Sequence, residues 1–358
     1  MSEVQLTPVR EAHQFDEQAL EHYLASHVEG FAGPLTIRQF EGGQSNPTFQ
    51  LEAASGLYVL RKQPPGELLP SAHQVDREYR VMDALFETDV PVPKMYTLCE
   101  DTQVIGTKFY IMEMVDGRLF TQTLIPAVTN EDRSAIYTDL ACVLATLHNV
   151  VPEAVGLGEF GRPGNYYERQ INRWTKQYLA SQTEHIEAMN NLMAWLPDNI
   201  PEQDEAVVVH GDFRLGNTLI HPTEPRIVAL IDWELSTIGD GLADLGYICQ
   251  DYHGDSYNDE GLSGADLGSL GIPSEEEFLA EYCRHAGREI DNWLFYVIYN
   301  MFRSAGIIQG VYKRGLDGNA SSDTALEYKD AARVRSERAW ELVQKGSTPL
   351  QHRFRDEL

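Results

Sequence analysis

The stretch from Val207 to Gly246 constrains this chain most, because it alternates short apolar runs with polar turns. Three valines open it and lead into the polar turn His210 to Asp212, and a second apolar run covers Thr218 to Ile220. A third run ends on Asp232. Strand-like runs that are separated by Gly and Pro turns predict a small β-ribbon with acidic residues at the ends of its strands.

The spacing of the polar residues in this stretch is typical of a kinase catalytic loop. That loop reads His-x-Asp, four further residues and Asn. Here His210 and Asp212 are followed by four residues and then Asn217. We therefore predict phosphoryl transfer from ATP. Asp212 would orient or take the proton of the hydroxyl that receives the phosphoryl group, while Asn217 and Asp232 would hold Mg²⁺. The alternative is a surface turn whose Asp and Asn only cap backbone N–H groups.

A family resemblance is carried by two segments, HGDFRLGN and IDWELSTIGDGLADLGY. They resemble the aminoglycoside phosphotransferase (APH) family of small-molecule kinases. Within it the chain is most similar to the kinase-like domain that is fused to, or encoded beside, acyl-CoA dehydrogenases. The resemblance runs from about Gly42 to Tyr312. It implies ATP and Mg²⁺ as cofactors, a protein-kinase-like bilobal fold of the α+β class, and a functional association with an acyl-CoA dehydrogenase.

The first third of the chain has the pattern of an antiparallel sheet with one helix against it. The helix is predicted over 72–86. Five runs have the length and composition of strands: Leu35–Phe40, Phe49–Ala53, Leu57–Lys62, Met95–Glu100 and Lys108–Val115. We therefore expect a five-stranded N-lobe at 1–114 that binds ATP. The mainly helical C-lobe, 115–358, would carry the catalytic loop and the acceptor pocket.

Two parts of the N-lobe are candidates for contact with the nucleotide phosphates. Gly42 and Gly43 would let backbone N–H groups approach the phosphates, and Ser45 adds a hydroxyl donor, although an ordinary hairpin turn explains these residues too. The third strand ends in Arg61 and Lys62. Strand alternation places these two cations on opposite faces, so only one of them can contact the phosphates.

The resemblance assigns further roles in nucleotide binding. It favours Arg61 as the phosphate-contacting cation, and Lys62 remains open. Kinases pair this cation with a helix carboxylate, for which Glu78 is the candidate unless it is an ordinary exposed residue. The resemblance also implies that the Glu113 carbonyl and the Val115 N–H bind the adenine edge.

Three residues in the second part of the chain are expected to act on or near the catalytic turn. Arg214, two residues after Asp212, is placed to neutralise charge that develops on the γ-phosphate. Asp244 is placed to accept backbone hydrogen bonds from the turn. Arg303 lies in an apolar helix predicted over 291–314, where it either pairs with a core carboxylate or faces an anionic substrate.

The charge of the chain bears on its partners. A formal net charge of −27 over 358 residues argues against nucleic acid and against anionic membranes, because both require a basic surface. A solvated acidic surface explains the charge without any partner. The chain begins without an apolar signal region and has no run of transmembrane length, so we expect a cytoplasmic protein.

The acceptor is the least constrained part of the prediction. The resemblance to dehydrogenase-associated domains implies a hydroxyacyl-CoA, whose hydroxyl could leave once it is phosphorylated. Its phosphates would need cations, and the candidates are Arg169, Arg173, Arg303, Lys313 and Arg314. The alternative is an aminoglycoside or another small alcohol, for which the loop 251–266 offers Asp251, Asp255, Asp259 and Glu260. A nucleotide-binding pseudokinase with a regulatory role is the third hypothesis.

Overall fold

The computed structural model describes residues 6–41, 46–66, 73–162, 164–202, 205–254, 261–318 and 323–346. The strands in these ranges are β1 Leu6–Thr7, β2 Thr36–Phe40, β3 Thr48–Ala53, β4 Gly56–Lys62, β5 Met95–Cys99, β6 Phe109–Glu113, β7 Arg118–Leu119, β8 Val207–Val209, β9 Thr218–Ile220, β10 Ile227–Leu230 and β11 Thr237–Gly239. The helices are α1 Glu17–His27, α2 Val75–Leu85, α3 Asn130–His148, α4 Tyr166–Ser181, α5 Glu187–Asp198, α6 Leu242–Cys249, α7 Leu267–Leu270, α8 Glu275–Ala286, α9 Trp293–Leu316 and α10 Ala331–Lys345.

The chain divides into two compact units, and the first comprises Met1–Phe120 and Gly216–Ser236. Its main sheet is antiparallel and has the strand order β1-β2-β3-β4-β6-β5. The sequence predicted five strands, and the sheet has six. The additional strand pairs Leu6 with Phe40 and Thr7 with Gln39. Two residues are too few to display the alternation by which a strand is recognised in a sequence.

The first unit has its hydrophobic core beneath α1. Leu20 and Leu24 of that helix are fully buried with Phe49, Leu51 and Leu60 of β3 and β4. Helix α2 packs beside β5 and β6 and buries its own apolar stripe. A second sheet in the same unit, with the order β10-β9-β7, carries the second and third apolar runs of the central stretch. The first run, β8, does not join them in one ribbon, because it pairs with β11 in a separate sheet.

The second unit, Thr121–Leu215 and Thr237–Leu358, is mainly helical. Helix α9 is its centre, packs against α4, α6 and α10, and is buried along most of its length, as its apolar sequence predicts. Gly246 allows α6 to approach α9 closely, because a Cβ atom there would lie 2.7 Å from the Tyr296 carbonyl oxygen. This contact matters because α6 carries two side chains that act on the catalytic turn.

Sequence analysis assigned no element to 275–286, where the structure has α8. Its start carries a capping box, in which Ser274 and Glu277 each accept a backbone N–H of the other. Strand β11, which pairs with β8, also went unpredicted. None of the helices in the described ranges has both the length and the hydrophobicity to cross a bilayer.

Candidate functional site

The first unit holds four charged residues around one guanidinium, and we call them the charge cluster: Arg61, Glu78, Asp232 and Glu234. Arg61 Nε lies 3.0 Å from Glu78 Oε2, and its Nη2 lies 2.7 Å from Asp232 Oδ1. Glu234 is more distant, with its Oε2 3.9 Å from Arg61 Nη2. The ion pair expected between the β4 arginine and the α2 carboxylate is therefore present, and it extends to the carboxylate at the end of β10.

Two further side chains hold the Glu78 carboxylate, which is fully buried. Asn46 Nδ2 donates to Oε1 at 2.7 Å, and the Tyr110 hydroxyl donates to Oε2 at 3.1 Å. Burial raises the pKa of Glu78, and the Arg61 guanidinium opposes that rise. Burial alone would lower the pKa of Arg61, but Glu78, Tyr110 and Asp232 raise it, so the guanidinium remains charged.

Lys62 lies on the opposite side of β4 from this cluster. Its Nζ is 5.7 Å from the Phe15 ring centroid and 6.0 Å from that of Phe49, and only 2% of the residue is exposed. Burial lowers the pKa of Lys62. The alternation predicted for β4 is thus observed, and Arg61 is the cation on the side of Glu78 and Asp232.

The two predicted metal ligands both lie in the first unit. Asn217 is buried, and the Ile231 N–H donates to its main-chain carbonyl at 3.0 Å. This bond joins the segment before β9 to the segment that ends in Asp232. Asp232 has φ 66° and ψ 58°, a left-handed conformation that is uncommon outside glycine but enriched in Asp and Asn. A carboxylate and an amide oxygen are donors of the kind that Mg²⁺ prefers.

The second unit contains the catalytic turn, His210-Gly211-Asp212, directly after β8. Asp244 of α6 accepts the N–H groups of His210 and Gly211 at 2.6 and 2.8 Å, which confirms the role predicted for it. Gly211 has φ 85°, a backbone conformation that favours glycine. Asp212 donates its own N–H to His210 Nδ1 at 3.2 Å, so the backbone of the turn is fixed at three successive residues.

The side chains of Asp212 and Arg214 lie near each other. Arg214 Nε is 3.6 Å from Asp212 Oδ2, and the Arg214 side chain is 43% exposed while that of Asp212 is 21% exposed. Both groups are therefore accessible to a ligand. A surface pair of this kind contributes little to stability.

Arg303 is buried and donates to the main-chain carbonyl of Gly211 in the turn. Its guanidinium carbon lies 4.8 Å from the Tyr247 ring centroid and 5.4 Å from that of Trp174. Among the described residues the structure records no ion pair for Arg303. Its recorded partners in the described part of the chain are a backbone carbonyl and two aromatic rings rather than a core carboxylate, and contact with an anionic substrate stays a prediction.

The remaining predicted contacts are less completely described. Gly42, Gly43 and Ser45 lie outside the described residues. Glu113 ends β6, its N–H donates to the Lys94 carbonyl at 2.8 Å, and Val115 follows two residues later without strand structure.

Sequence analysis missed three residues that contact the predicted ones. Asn46 and Tyr110 bind Glu78, and Tyr247 is a hydrogen-bond partner of Asp212. Tyr110 lies opposite Arg61 in the β4–β6 pairing, a register that the sequence pattern does not give, and it is 32 residues from Glu78. Asn46 and Tyr247 are distant in sequence from the residues they bind, and no spacing indicates them.

Comparisons with known proteins are consistent with this geometry. Residues 36–295 match the phosphotransferase enzyme family, APH. The chain is 43% identical over 350 residues to human acyl-CoA dehydrogenase family member 11, covering 96% of this chain and 45% of the relative. It is 44% identical over 342 residues to mouse acyl-CoA dehydrogenase family member 10, covering 94% and 32%. A crystal structure of a candidate aminoglycoside phosphotransferase from Ralstonia eutropha is 48% identical, covers 94% of this chain and 100% of its own, and superposes with a TM-score of 0.86.

The fold and these residues define the class, a phosphotransferase with a protein-kinase-like α+β fold. The chain belongs to the APH phosphotransferase family, as the sequence resemblance predicted. It spans less than half the length of both curated relatives.

Proposed function

We propose that this chain transfers the γ-phosphoryl group of ATP, with Mg²⁺, to a hydroxyl group of a small molecule. The observation that carries the proposal is the Arg61 guanidinium, paired with Glu78 at 3.0 Å and with Asp232 at 2.7 Å. Kinases use a strand cation, oriented by a helix carboxylate, to contact the α- and β-phosphates. A buried Glu78 that also accepts two hydrogen bonds is suited to hold that cation in place.

The proposed roles follow from the chemistry of each group. Asp232 and Asn217 would hold Mg²⁺, which when bound neutralises charge on the β- and γ-phosphates. Gly42, Gly43 and Ser45 would cover the phosphates, and the main chain of Glu113 and Val115 would bind the adenine edge. The Glu113 and Val115 assignments rest on the family resemblance, and the Gly42, Gly43 and Ser45 assignments rest on the chemistry of a glycine-containing loop.

The acceptor roles belong to the catalytic turn. Asp212 orients the acceptor hydroxyl and takes its proton, since its carboxylate is partly exposed. Arg214 is 3.6 Å from that carboxylate and would stabilise the phosphoryl group in transfer.

We propose a hydroxyacyl-CoA as the acceptor, and an acyl-CoA dehydrogenase as a functional partner. The support is the pair of long relatives named as acyl-CoA dehydrogenase family members. Three of the five cations considered for the CoA phosphates are engaged within the chain: Arg303 is buried, Lys313 pairs with Asp317, and Arg169 donates to main-chain carbonyls. Arg173 and Arg314 are the exposed members of that set.

An aminoglycoside is the second candidate acceptor. The Ralstonia eutropha structure, at 48% identity, is described as a candidate aminoglycoside phosphotransferase. A net charge of −27 also suits a polycationic substrate better than an anionic one.

The test is ATP turnover with Mg²⁺ against hydroxyacyl-CoAs of several chain lengths, kanamycin-type aminoglycosides and simple alcohols. Formation of a phosphorylated hydroxyacyl-CoA, detected by mass spectrometry, is the expected result. Transfer to kanamycin-type acceptors with none to any hydroxyacyl-CoA would select the second candidate. Nucleotide binding without transfer to any acceptor or to water would select the pseudokinase alternative.

A further inference from the structure

Arg303 is an unusual residue for the interior of this unit. Only 6% of Arg303 is exposed, and burying a guanidinium is unfavourable unless its charge is compensated. Here the compensation comes from the faces of Tyr247 and Trp174 and from the Gly211 carbonyl. The buried Arg303 guanidinium therefore donates a hydrogen bond to the carbonyl of Gly211, the residue that precedes Asp212.

Tyr247 connects the same cation to the Asp212 side chain. Its ring lies against Arg303, and its hydroxyl is a hydrogen-bond partner of the Asp212 carboxylate. Burial raises the pKa of Tyr247, and the Asp212 charge raises it further, so the hydroxyl keeps its proton and donates. Asp244, three residues earlier in α6, accepts the N–H groups of His210 and Gly211.

We propose that Arg303 and Tyr247 are positioning residues that hold the catalytic turn and the Asp212 carboxylate in the orientation needed for phosphoryl transfer. This inference rests on the proposed function, in which Asp212 binds the acceptor hydroxyl. Arg303 fixes the Gly211 carbonyl, Asp244 fixes the N–H groups, and Tyr247 fixes the carboxylate. The turn is thereby held at its backbone donors, its backbone acceptor and its reactive side chain.

The competing explanation is that both residues only pack the interior. Packing alone requires the aromatic ring of Tyr247 but not its hydroxyl, whereas positioning requires the hydroxyl. Tyr247→Phe separates these possibilities, because it keeps the ring that faces Arg303. Tyr296→Phe is a matched control, since Tyr296 is a buried tyrosine of the same unit and its recorded contacts in the described ranges do not include the turn.

The experiment measures the rate of ATP turnover, with a hydroxyacyl-CoA or with water as acceptor, together with the Kd for Mg·ATP. We expect Tyr247→Phe to slow transfer about tenfold or more, the effect of losing a hydrogen bond to a charged group, with the Kd unchanged within about twofold. In an Asp212→Asn background the same change should slow residual transfer by less than about twofold, because the carboxylate through which it acts is gone. Tyr296→Phe should leave both quantities at their wild-type values.

Arg303→Lys provides the second test and keeps the buried charge. Lysine lacks the planar fork of arginine, so we expect transfer to fall about tenfold while the Kd for Mg·ATP stays within about twofold. Wild-type transfer rates in both Tyr247→Phe and Arg303→Lys, or equal slowing by Tyr247→Phe in the two backgrounds, would overturn the positioning role. Wild-type transfer in Asp212→Asn would instead overturn the proposed function itself.

Discussion

The charge cluster and the catalytic turn hold their functional groups in different ways. In the cluster, side chains pair with side chains, and Arg61 is shared among three carboxylates. In the turn, the backbone is held, with N–H groups donated to Asp244 and a carbonyl bound by Arg303. Ion pairs can be exchanged for ligand atoms of the same charge, whereas backbone hydrogen bonds keep a turn fixed whatever is bound. The cluster is suited to receive a charged ligand, and the turn is suited to hold a reactive carboxylate still.

The largest effect on nucleotide binding is expected for Asp232→Ala, which removes the exchangeable carboxylate of the cluster. The Kd for Mg·ATP should rise about 100-fold or more, and EDTA should no longer change ATP affinity, because the metal loses its carboxylate. Isothermal titration calorimetry with and without Mg²⁺ measures both. Glu234→Ala is the matched control, with a carboxylate 3.9 Å from Arg61, and should have a smaller effect. Unchanged Mg²⁺ dependence in Asp232→Ala would remove Asp232 from the metal site.

Arg61→Ala and Lys62→Met compare the two adjacent cations of β4. In Arg61→Ala, ATP should bind about 10-fold to 100-fold more weakly, and the free energy of unfolding should fall by about 3–5 kcal/mol, since a buried Glu78 loses its cation. Lys62→Met is the control, because Lys62 lies among Phe15 and Phe49 and should change ATP affinity by less than about twofold. Denaturant titration measures the free energy of unfolding of both variants, and a nucleotide-binding assay measures their ATP affinity. A larger loss of ATP affinity in Lys62→Met would reverse the assignment.

Asp244→Asn probes the support of the turn and should have the smallest effect. Asparagine offers one acceptor oxygen where two N–H groups now bind, so we expect a loss of about 1–3 kcal/mol in stability. Transfer should slow about tenfold, with ATP affinity unchanged within about twofold. Asp266→Asn, which replaces an exposed helix cap by another good cap, controls for the change of charge. Weakened ATP binding in Asp244→Asn would contradict the separation of the two regions.

The features predicted correctly from the sequence are those fixed by local spacing. The alternation of β4 separates Arg61, which pairs with Glu78, from Lys62, which lies beside Phe15 and Phe49. Apolar periodicity located α2 and α9 to within a few residues. These signals depend only on residues that lie close together in the sequence.

The features that escaped prediction depend on contacts between distant segments. Asn46 and Glu78 are 32 residues apart, and Arg303 and Gly211 are 92 apart. The apolar sequence of its helix predicts that Arg303 is buried. It does not predict the partner of Arg303, because the charge of a buried guanidinium can be compensated by a carboxylate, a carbonyl or an aromatic face. Helix α8 differs, because its Ser-x-x-Glu start is a local signal that the sequence itself carries.

The most direct test of the account is Asp212→Asn, measured at once for Mg·ATP affinity and for phosphoryl transfer. An amide cannot take the acceptor proton, so transfer should fall by about 100-fold to 10,000-fold. The Kd for Mg·ATP should stay within about twofold of the wild-type value, because nucleotide binding is assigned to the charge cluster. A variant that retains most of the transfer rate, or one that loses transfer only because it no longer binds ATP, would contradict the division of roles proposed for the two regions.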